Sequence, residues 1–493
     1  MVFIRLKKKI SWLTLFFCCT VFSCVVADAG FAGISAEKIV DINDDPFAVA
    51  IGQWPFSVVL KRDISDIPAH FKALGASSTR IDFTWNDLEP QKGEYAPQGL
   101  DEIVERMGIS RVDIILSFRP VSEWATEVSA PVRPGSPPRD MKEYLQALEY
   151  LVKRYKGKVK YWQIGNEPEL PSFWKGGTKE LVELVKASYE KIKEIDPDAQ
   201  VLLAGFTGGW NESQDAPVRA DFVETLLKET KGYFDILDIH LYQSIYIFEK
   251  RVQWFREKMK EYGYDRPVWS TECGGPDPRI CSHYRKYTRD FLDAGGTAGG
   301  SFKDGLKVFK KKILPEIAAG DCKYLKLFYV DEYKREYDDL HAREVIKRYL
   351  MALSAGVERV YWWNLTSEGY HPIFSKMALC RKQNLQDKTP AYDAYALMTG
   401  KLKGIKRLKR EVRDNVMIWE ITKDDQSIVY VLWQVSGPHD FSLPQAHVKL
   451  SVPFASAIQT DVYGYVQAAG VVDGELSLGV GPGPVFIEAG QEK

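Results

Sequence analysis

The chain has 493 residues, and 45% of them are apolar, which is enough to build a large buried core. Its 66 lysines and arginines nearly balance its 67 aspartates and glutamates, so the formal net charge is −1. Because there is no bulk charge of either sign, we expect neither nucleic acid nor an anionic surface as a partner. The chain also carries 13 Trp and 25 Tyr, whose flat rings fill cores and also stack on sugars.

The first 29 residues have the layout of a signal peptide. Basic residues at positions 5–9 precede an apolar run over 10–26, and Ala27-Asp28-Ala29 resembles a small-residue cleavage site. An uncleaved membrane anchor is an alternative, and so is a lipoprotein, because residues 21–24 loosely resemble a lipobox. Each interpretation predicts a secreted, periplasmic or cell-surface protein, with no membrane contact beyond an N-terminal anchor or lipid.

Four cysteines lie beyond this leader: Cys273, Cys281, Cys322 and Cys380. An even number in an exported chain permits disulfides, and four cysteines allow three pairings. A Cys273–Cys281 disulfide would rigidify the loop between these two residues. Buried cysteines that form no disulfide are an equal alternative. Their spacing to histidines does not match a zinc site, so we expect no metal.

In chain order, strand-like apolar runs alternate with amphipathic helical stretches. The runs cover residues 47–54, 78–83, 112–118, 158–165, 200–205, 234–241, 267–272 and 358–363. Eight such units predict a (β/α)8 TIM barrel, an α/β fold in which parallel strands are joined by crossover helices. An open doubly wound sheet is the alternative, but a Gly-rich phosphate fingerprint does not follow the first run.

The remaining chain suggests an insertion and a second domain. A helix over 341–355 would be the last crossover, which makes residues 273–340 an insertion at the mouth of the barrel, either shaping substrate access or running over the surface. Beyond residue 400, short alternating runs predict a small C-terminal antiparallel β-sandwich. We therefore divide the chain into a signal peptide (1–29), a catalytic barrel (30–400) and a β-sandwich (401–493), and interpret 401–410 as a solvated connector.

Two glutamates end strand-like runs. Residues 159–170 read VKYWQIGNEPEL, and proline cannot continue a central strand, so Asn166 and Glu167 should lie at a strand tip. The run RPVWSTE ends at Glu272. One carboxyl group that protonates a leaving oxygen and a second that attacks the anomeric carbon are what a retaining glycosidase needs.

In this pair and its surroundings, residues 46–400 resemble the clan A glycoside hydrolases, most closely the xylosidase/iduronidase-like and cellulase/mannanase-like families. The resemblance implies that Glu167 is the proton donor and acid/base and that Glu272 is the nucleophile. It also implies supporting or substrate-binding roles for other residues, namely Arg80, Asn166, His240, Tyr242 and Trp363. Arg80 would keep Glu272 anionic, Tyr242 would orient it, and Asn166 would bond the sugar 2-hydroxyl.

Several assignments have open alternatives. The alternative for His240 is an interior histidine whose hydrogen bonds are made within the core. Trp362 is the alternative to Trp363 as the aromatic residue that lies under the bound sugar. Three further tryptophans are candidates either for stacking on sugar or for packing: Trp85, Trp124 and Trp210. We interpret Glu89 as part of a structural loop and Glu169 as a carboxylate on the surface or rim.

These residues predict an exported retaining glycoside hydrolase that cleaves a β-linked plant or microbial oligo- or polysaccharide by double displacement. The mechanism requires neither a metal nor an organic cofactor. A non-catalytic carbohydrate-binding protein on the same fold is the alternative. A metal-dependent hydrolase on an unrelated barrel is less favoured, because only His240 is placed as a strand-tip ligand.

Overall fold

A computed structural model describes residues 37–51, 66–130, 134–207, 209–211, 215–281, 284, 286–287, 307–366, 374–381, 385–435 and 443–490. The predicted signal peptide and its alternatives lie outside these residues, as does the Gly-rich stretch at 295–300. Within the ranges given, none of the helices is both long enough and apolar enough to cross a membrane.

Eight parallel strands close into a barrel, which confirms the predicted fold class. The first eleven strands of the described residues are β1 (Glu37–Asp41), β2 (Phe47–Val49), β3 (Ser78–Thr84), β4 (Asp113–Arg119), β5 (Tyr161–Ile164), β6 (Gln200–Phe206), β7 (Trp210–Asn211), β8 (Ala216–Pro217), β9 (Ile236–Ile239), β10 (Val268–Cys273) and β11 (Arg359–Trp362). The barrel order is β2-β3-β4-β5-β6-β9-β10-β11, and β11 pairs with β2 to close the ring. Strands β7 and β8 form a separate short hairpin.

Helices connect the barrel strands. Those of eight residues or more are α1 (Ile67–Leu74), α2 (Gln98–Ile109), α3 (Met141–Tyr155), α4 (Thr178–Ile195), α5 (Ala220–Glu229), α6 (Phe248–Glu261), α7 (Lys334–Ser354) and α8 (Pro390–Leu402). Helix α3 shows how the sequence specifies them. The Asp140 side chain accepts a hydrogen bond from the Lys142 backbone N–H at its start, and one apolar stripe, including Leu148 and Leu151, is buried.

One end of the barrel interior is filled by bulky side chains from several strands. Tyr161 and Ile236 begin β5 and β9, and Trp269 stands second in β10. These three side chains belong to one buried cluster, in which the Tyr161 and Trp269 rings lie 4.9 Å apart. Apolar filling at the strand beginnings leaves the opposite end, where the strands finish, for polar residues.

The described part of the predicted insertion packs against the barrel mouth instead of running free over the surface. It contains a short 3-10 turn at Pro278–Ile280, a π-helical turn at Phe309–Ile313, and the short helices Leu314–Ala319 and Lys323–Tyr329. Its buried side chains form a cluster with Tyr242 and Trp363. The crossover helix α7 begins at Lys334 and is longer than the predicted 341–355.

The C-terminal region is a β-sandwich, as predicted. Its strands are β12 (Ile405–Arg413), β13 (Val416–Lys423), β14 (Ile428–Gln434), β15 (Ala446–Ser451), β16 (Ala457–Asp461), β17 (Val466–Ala469), β18 (Val471–Val472), β19 (Glu475–Val480) and β20 (Val485–Ala489). A seven-stranded sheet in the order β1-β12-β13-β14-β20-β16-β17 faces the three-stranded sheet β15-β19-β18. Ile418 and Leu432 of the first sheet share a buried cluster with Val448 and Leu476 of the second.

The interpretation of residues 401–410 as a solvated connector was wrong. Residues 405–410 belong to β12, and Arg410 within them is fully buried. Arg410 Nη2 donates to Glu249 Oε2 at 2.8 Å, and Nη1 donates to Ser354 Oγ at 3.1 Å. Strand β1, which the sequence placed with the barrel, pairs with β12 and is the edge of this sheet. The domain boundary at residue 400 stays a prediction.

Candidate active site

Glu167 lies directly beyond the end of β5. Gly165 has φ 86°, and Glu167 itself has φ 42°, so the chain turns sharply out of the barrel at this point. The Glu167 backbone N–H donates to Gly205 O on the neighbouring strand at 2.9 Å. A left-handed conformation is unfavourable for glutamate and is typical of functional sites held by their surroundings. The turn places the Glu167 side chain at the barrel mouth.

Glu272 is the penultimate residue of β10, and it is buried. Arg80 Nη1 donates to its Oε1 at 2.7 Å, and the Tyr242 hydroxyl donates to its Oε2 at 2.7 Å. Burial raises the pKa of Glu272 above its ordinary value, although the charges of His240 and Arg80 oppose the rise. Both oxygens are therefore held in position by donors that favour the carboxylate form.

Arg80 connects the nucleophile candidate to the amide of Asn166. Its Nη2 donates to Asn166 Oδ1 at 2.6 Å, and its Nε donates to Gln163 Oε1 at 2.7 Å. Burial would lower the pKa of Arg80, but Asp82 and then Glu272 raise it, so the guanidinium stays charged. Because Arg80 occupies the Asn166 carbonyl oxygen, the amide NH2 of Asn166 is the group left to donate to a ligand.

His240 stands between the two glutamates. Its Nδ1 lies 2.7 Å from Glu167 Oε1 and 3.6 Å from Glu272 Oε2, while Nε2 lies 3.7 Å from Asp238 Oδ2. Burial alone would lower the pKa of His240, but the charge of Glu272, the nearby Asp238 carboxylate and the hydrogen bond with Glu167 raise it to about 10. His240 is thus a fully buried histidine that lies close to both candidate glutamates.

One ligand atom from each of Glu167, His240 and Glu272 lies within 4.8 Å of the other two. The three groups would offer a metal ion two carboxylates and an imidazole. They are a poor cation site, because the Arg80 guanidinium already bonds Glu272 and the His240 ring favours the protonated form, which has no lone pair to give. At least one oxygen of Glu167 therefore lies no more than 4.8 Å from one oxygen of Glu272.

The two neighbouring tryptophans after β11 have different environments. Trp362 is fully buried, and its Nε1 donates to Met377 O at 2.8 Å. Trp363 belongs to the same cluster as Tyr242 and Met377, on the side of the nucleophile candidate. The structure thus places Trp363, rather than Trp362, beside the site.

The three other tryptophans are not equivalent. Trp85 is fully buried, donates through Nε1 to Glu89 Oε2 at 2.8 Å, and packs against Trp124 with ring centroids 5.5 Å apart, which fits the packing alternative. Trp124 is half-buried and donates through Nε1 to Glu89 O at 2.9 Å. Trp210 is half-buried in the β7–β8 hairpin. Only the latter two retain an accessible indole surface.

Sequence reasoning misjudged Glu169, which is 1% exposed instead of lying on the surface or rim. It also missed Gln163 and Asp238, whose side chains are joined by a 2.5 Å hydrogen bond behind the site. A signal for Asp238 was present, since residues 238, 240 and 242 alternate along the chain and so face one side. The loop arginine Arg279 was missed as well.

Comparisons with solved structures are consistent with this arrangement. A family 39 glycoside hydrolase from the gut symbiont Bacteroides cellulosilyticus WH2 matches with TM-score 0.62 and 16% identity over 90% of this chain and 81% of that one. A glucosidase from Croceicoccus marinus matches with TM-score 0.59 and 12% identity over 93% and 100%. A family 51 α-L-arabinofuranosidase from Bifidobacterium longum matches with TM-score 0.55 and 10% identity over 92% and 97%.

Protein-family models and curated proteins gave no match to the sequence. At these low identities the structural matches establish the fold, and glycoside hydrolases of several clan A families share it. The resemblance to clan A is therefore confirmed at the level of the fold.

Proposed function

We propose that the chain is an exported retaining glycoside hydrolase that cleaves a β-linked glycan by double displacement, with Glu272 as nucleophile and Glu167 as acid/base. The observation that carries the proposal is the pair of carboxyl groups within 4.8 Å at the barrel mouth, one of them held by a cation and a phenol. Export follows from the predicted leader alone.

In the first step, Glu272 attacks the anomeric carbon while Glu167 gives its proton to the departing oxygen. Arg80 and Tyr242 hold the two oxygens of Glu272 at 2.7 Å each, which leaves its remaining lone pairs for attack. The donors Arg80 and Tyr242 favour the carboxylate form of Glu272, which is the form that attacks. The result is a covalent glycosyl-enzyme and a released aglycone.

In the second step, Glu167 removes a proton from water, which attacks the anomeric carbon and regenerates Glu272 with configuration retained. His240 lies 2.7 Å from Glu167 Oε1, so its imidazolium stabilises the Glu167 carboxylate that acts as base. Asn166, fixed by Arg80, would donate to the sugar 2-hydroxyl as the oxocarbenium-like transition state forms. Trp363 would be the surface under that sugar.

The sugar itself is not set by the fold, because the matched proteins include a glucosidase and an α-L-arabinofuranosidase. A non-catalytic carbohydrate-binding protein would need neither a nucleophile held by two donors nor an acid beside it. Hydrolysis therefore accounts for more of the observed contacts than binding alone.

The test uses the alanine variants Glu167→Ala and Glu272→Ala on aryl β-glycosides with a good leaving group, with Glu94→Ala as an exposed control. Azide should rescue Glu167→Ala and give the β-glycosyl azide, because it attacks a glycosyl-enzyme that still forms. If azide rescues Glu272→Ala, the product should be the α-glycosyl azide. An α-azide from Glu167→Ala would reverse the two roles, and saturable glycan binding without turnover would support the binding-protein alternative.

A further inference from the structure

The loop that follows Glu272 carries a buried aspartate that holds an arginine at the mouth of the site. Asp277 is fully buried, and Arg279 Nε and Nη2 donate to its two carboxyl oxygens at 2.7 to 3.0 Å. The Gln243 backbone N–H donates to Asp277 Oδ2 at 2.9 Å and fixes the aspartate in turn. The arginine is therefore held in one orientation before any ligand arrives.

Arg279 lies over the aromatic wall of the site. Its guanidinium carbon is 5.2 Å from the ring centre of Tyr242 and 5.5 Å from that of Phe374. The hydroxyl of the same Tyr242 donates to Glu272, so Tyr242 lies between Arg279 and the nucleophile candidate and contacts both. Its side chain is 30% exposed, whereas the Arg80 side chain is 1% exposed.

The two arginines differ in what they can still bind. Arg80 uses Nε, Nη1 and Nη2 for site residues. Arg279 uses the guanidinium edge formed by Nε and Nη2 to bond Asp277. Its Nη1 makes no hydrogen bond to any part of the chain that the structure describes. A preorganised guanidinium with an accessible N–H group suits recognition of an anionic oxygen group.

We propose that Arg279 binds a negatively charged substituent of the substrate, a carboxylate or a sulfate ester, and so makes the enzyme selective for an acidic glycan. This inference rests on the proposed hydrolase function and names the substrate class for the same site. Asp277 is the positioning residue, because it contacts Arg279 and is itself fully buried.

The test compares aryl β-glucosides that differ only at C6, with a hydroxymethyl, a carboxylate or a 6-O-sulfate. Arg279→Gln should lower kcat/KM at least tenfold for one of the anionic members and less than threefold for the neutral one, which also distinguishes carboxylate from sulfate. Arg413→Gln, at an exposed arginine of the sandwich, is the matched control. Equal losses on all three, or a wild-type preference for the neutral member, would overturn the proposal while leaving hydrolysis intact.

Binding supplies a second measurement that does not depend on turnover. In the Glu272→Gln background, calorimetry with glucose, glucuronate and glucose 6-O-sulfate oligosaccharides should show tighter binding of at least one of the two acidic ligands, and adding Arg279→Gln should abolish the difference. Absence of an anion-dependent difference in that background would overturn the proposal whatever the rates show.

A second inference comes from the thiols of the insertion. The Sγ atoms of Cys281 and Cys322 lie 3.0 Å apart, although 41 residues separate them in sequence. Cys281 ends the 3-10 turn that contains Arg279, and Cys322 directly precedes the helix Lys323–Tyr329. The sequence had suggested a Cys273–Cys281 bridge, and the geometry instead brings Cys281 to Cys322.

We infer that Cys281 and Cys322 form a disulfide in the exported protein. One thiol loses its proton, and the thiolate attacks the disulfide of an extracytoplasmic thiol–disulfide oxidant, which releases one oxidant thiol. The second cysteine, also deprotonated, attacks the mixed disulfide and releases the other oxidant thiol, so two protein thiols are oxidised and one oxidant disulfide is reduced. The bond would join the part of the insertion that follows Glu272 to the start of its helix Lys323–Tyr329.

Alkylation of the exported, unreduced protein under denaturing conditions should modify Cys273 and Cys380 only, and peptide mass spectrometry should find 281 joined to 322. Four alkylated cysteines after incubation with oxidised glutathione, or a bridge to Cys273, would overturn the inference. Cys281→Ser and Cys322→Ser should each lower the melting temperature, and the double variant should lose no more than either. Additive losses would indicate separate packing effects instead of one shared bond.

Discussion

Replacing Glu169 with glutamine should make the stability of the protein less sensitive to pH. Glu169 is 1% exposed, its Oε1 accepts the Thr207 backbone N–H at 2.6 Å, and its Oε2 is a buried oxygen without a hydrogen bond to the residues placed in the structure. Burial, and then the charge of Glu167, raise the pKa of Glu169 to about 8. Glutamine keeps the shape and cannot ionise.

The size of this pH dependence follows from the difference between the pKa of Glu169 in the unfolded chain and its pKa in the folded protein. An unfolded glutamate titrates near about 4.3, so above that pH the unfolded chain has lost a proton that the folded chain keeps until about pH 8. In this window the unfolded state binds fewer protons, and stability falls as pH rises, by about 1.4 kcal/mol per pH unit. Between pH 5 and pH 8 this single group should cost about 4 kcal/mol at most.

The assay is urea unfolding of wild type and Glu169→Gln at pH 5, 6, 7 and 8, followed by tryptophan fluorescence and circular dichroism. The free energy of unfolding of the variant, minus that of wild type, should grow steadily across the series. Glu94→Gln, at an exposed position, should show no such trend. A difference that stays constant with pH would refute the reasoning, because it would mean that Glu169 ionises alike in both states.

Further predictions concern the site and the domain contact. Tyr242→Phe removes the donor to Glu272 Oε2 and should lower kcat by about a hundredfold with little change in KM; an unchanged kcat in steady-state kinetics would contradict the proposed contact. Arg80→Met should reduce kcat/KM by more than Tyr242→Phe does, because it leaves Glu272 buried without its cation. Arg410→Met leaves Glu249 buried without its main partner and should cost about 3 to 5 kcal/mol of unfolding free energy in denaturant titrations. Pairing it with Glu249→Met should recover most of that loss, and additive losses would argue against an ion pair.

The barrel strands could be predicted because parallel strands buried on both faces are continuous apolar runs. Most ends agree to within three residues, as at β5, which the structure begins at Tyr161, but β2 ends at Val49, five residues before the predicted end at 54. Strand β12 was missed for a physical reason. Its exposed lysines and arginines mask a sparse pattern in which Leu408 and Arg410 are buried, and the burial of Arg410 depends on docking against Glu249 from a barrel helix.

The candidate site was predictable where strand geometry decides it. Glu167 and Glu272 end strands, and strand ends of a barrel converge, so their proximity followed from the pattern. Glu169 was not predictable in this way, because its burial depends on how the loop after Pro168 folds against Thr207. The contact between Cys281 and Cys322 likewise depends on the path of an insertion that has no strand pattern.

Formation of the proposed glycosyl-enzyme would change the charges that act on His240. The charge of Glu272 is the largest of the effects that raise the pKa of His240, and in the proposed mechanism it disappears when Glu272 forms its ester with the sugar. Once the ester has formed, Glu167 is the one of the two glutamates whose carboxyl group is still free to act on water. His240, 2.7 Å away, remains the donor for that carboxylate, so replacing it with a residue that cannot donate should slow the second step more than the first. Accumulation of the glycosyl-enzyme in His240→Phe, seen by mass spectrometry as a covalent adduct on Glu272, would show that selective slowing, and an unchanged steady-state level of adduct would count against it.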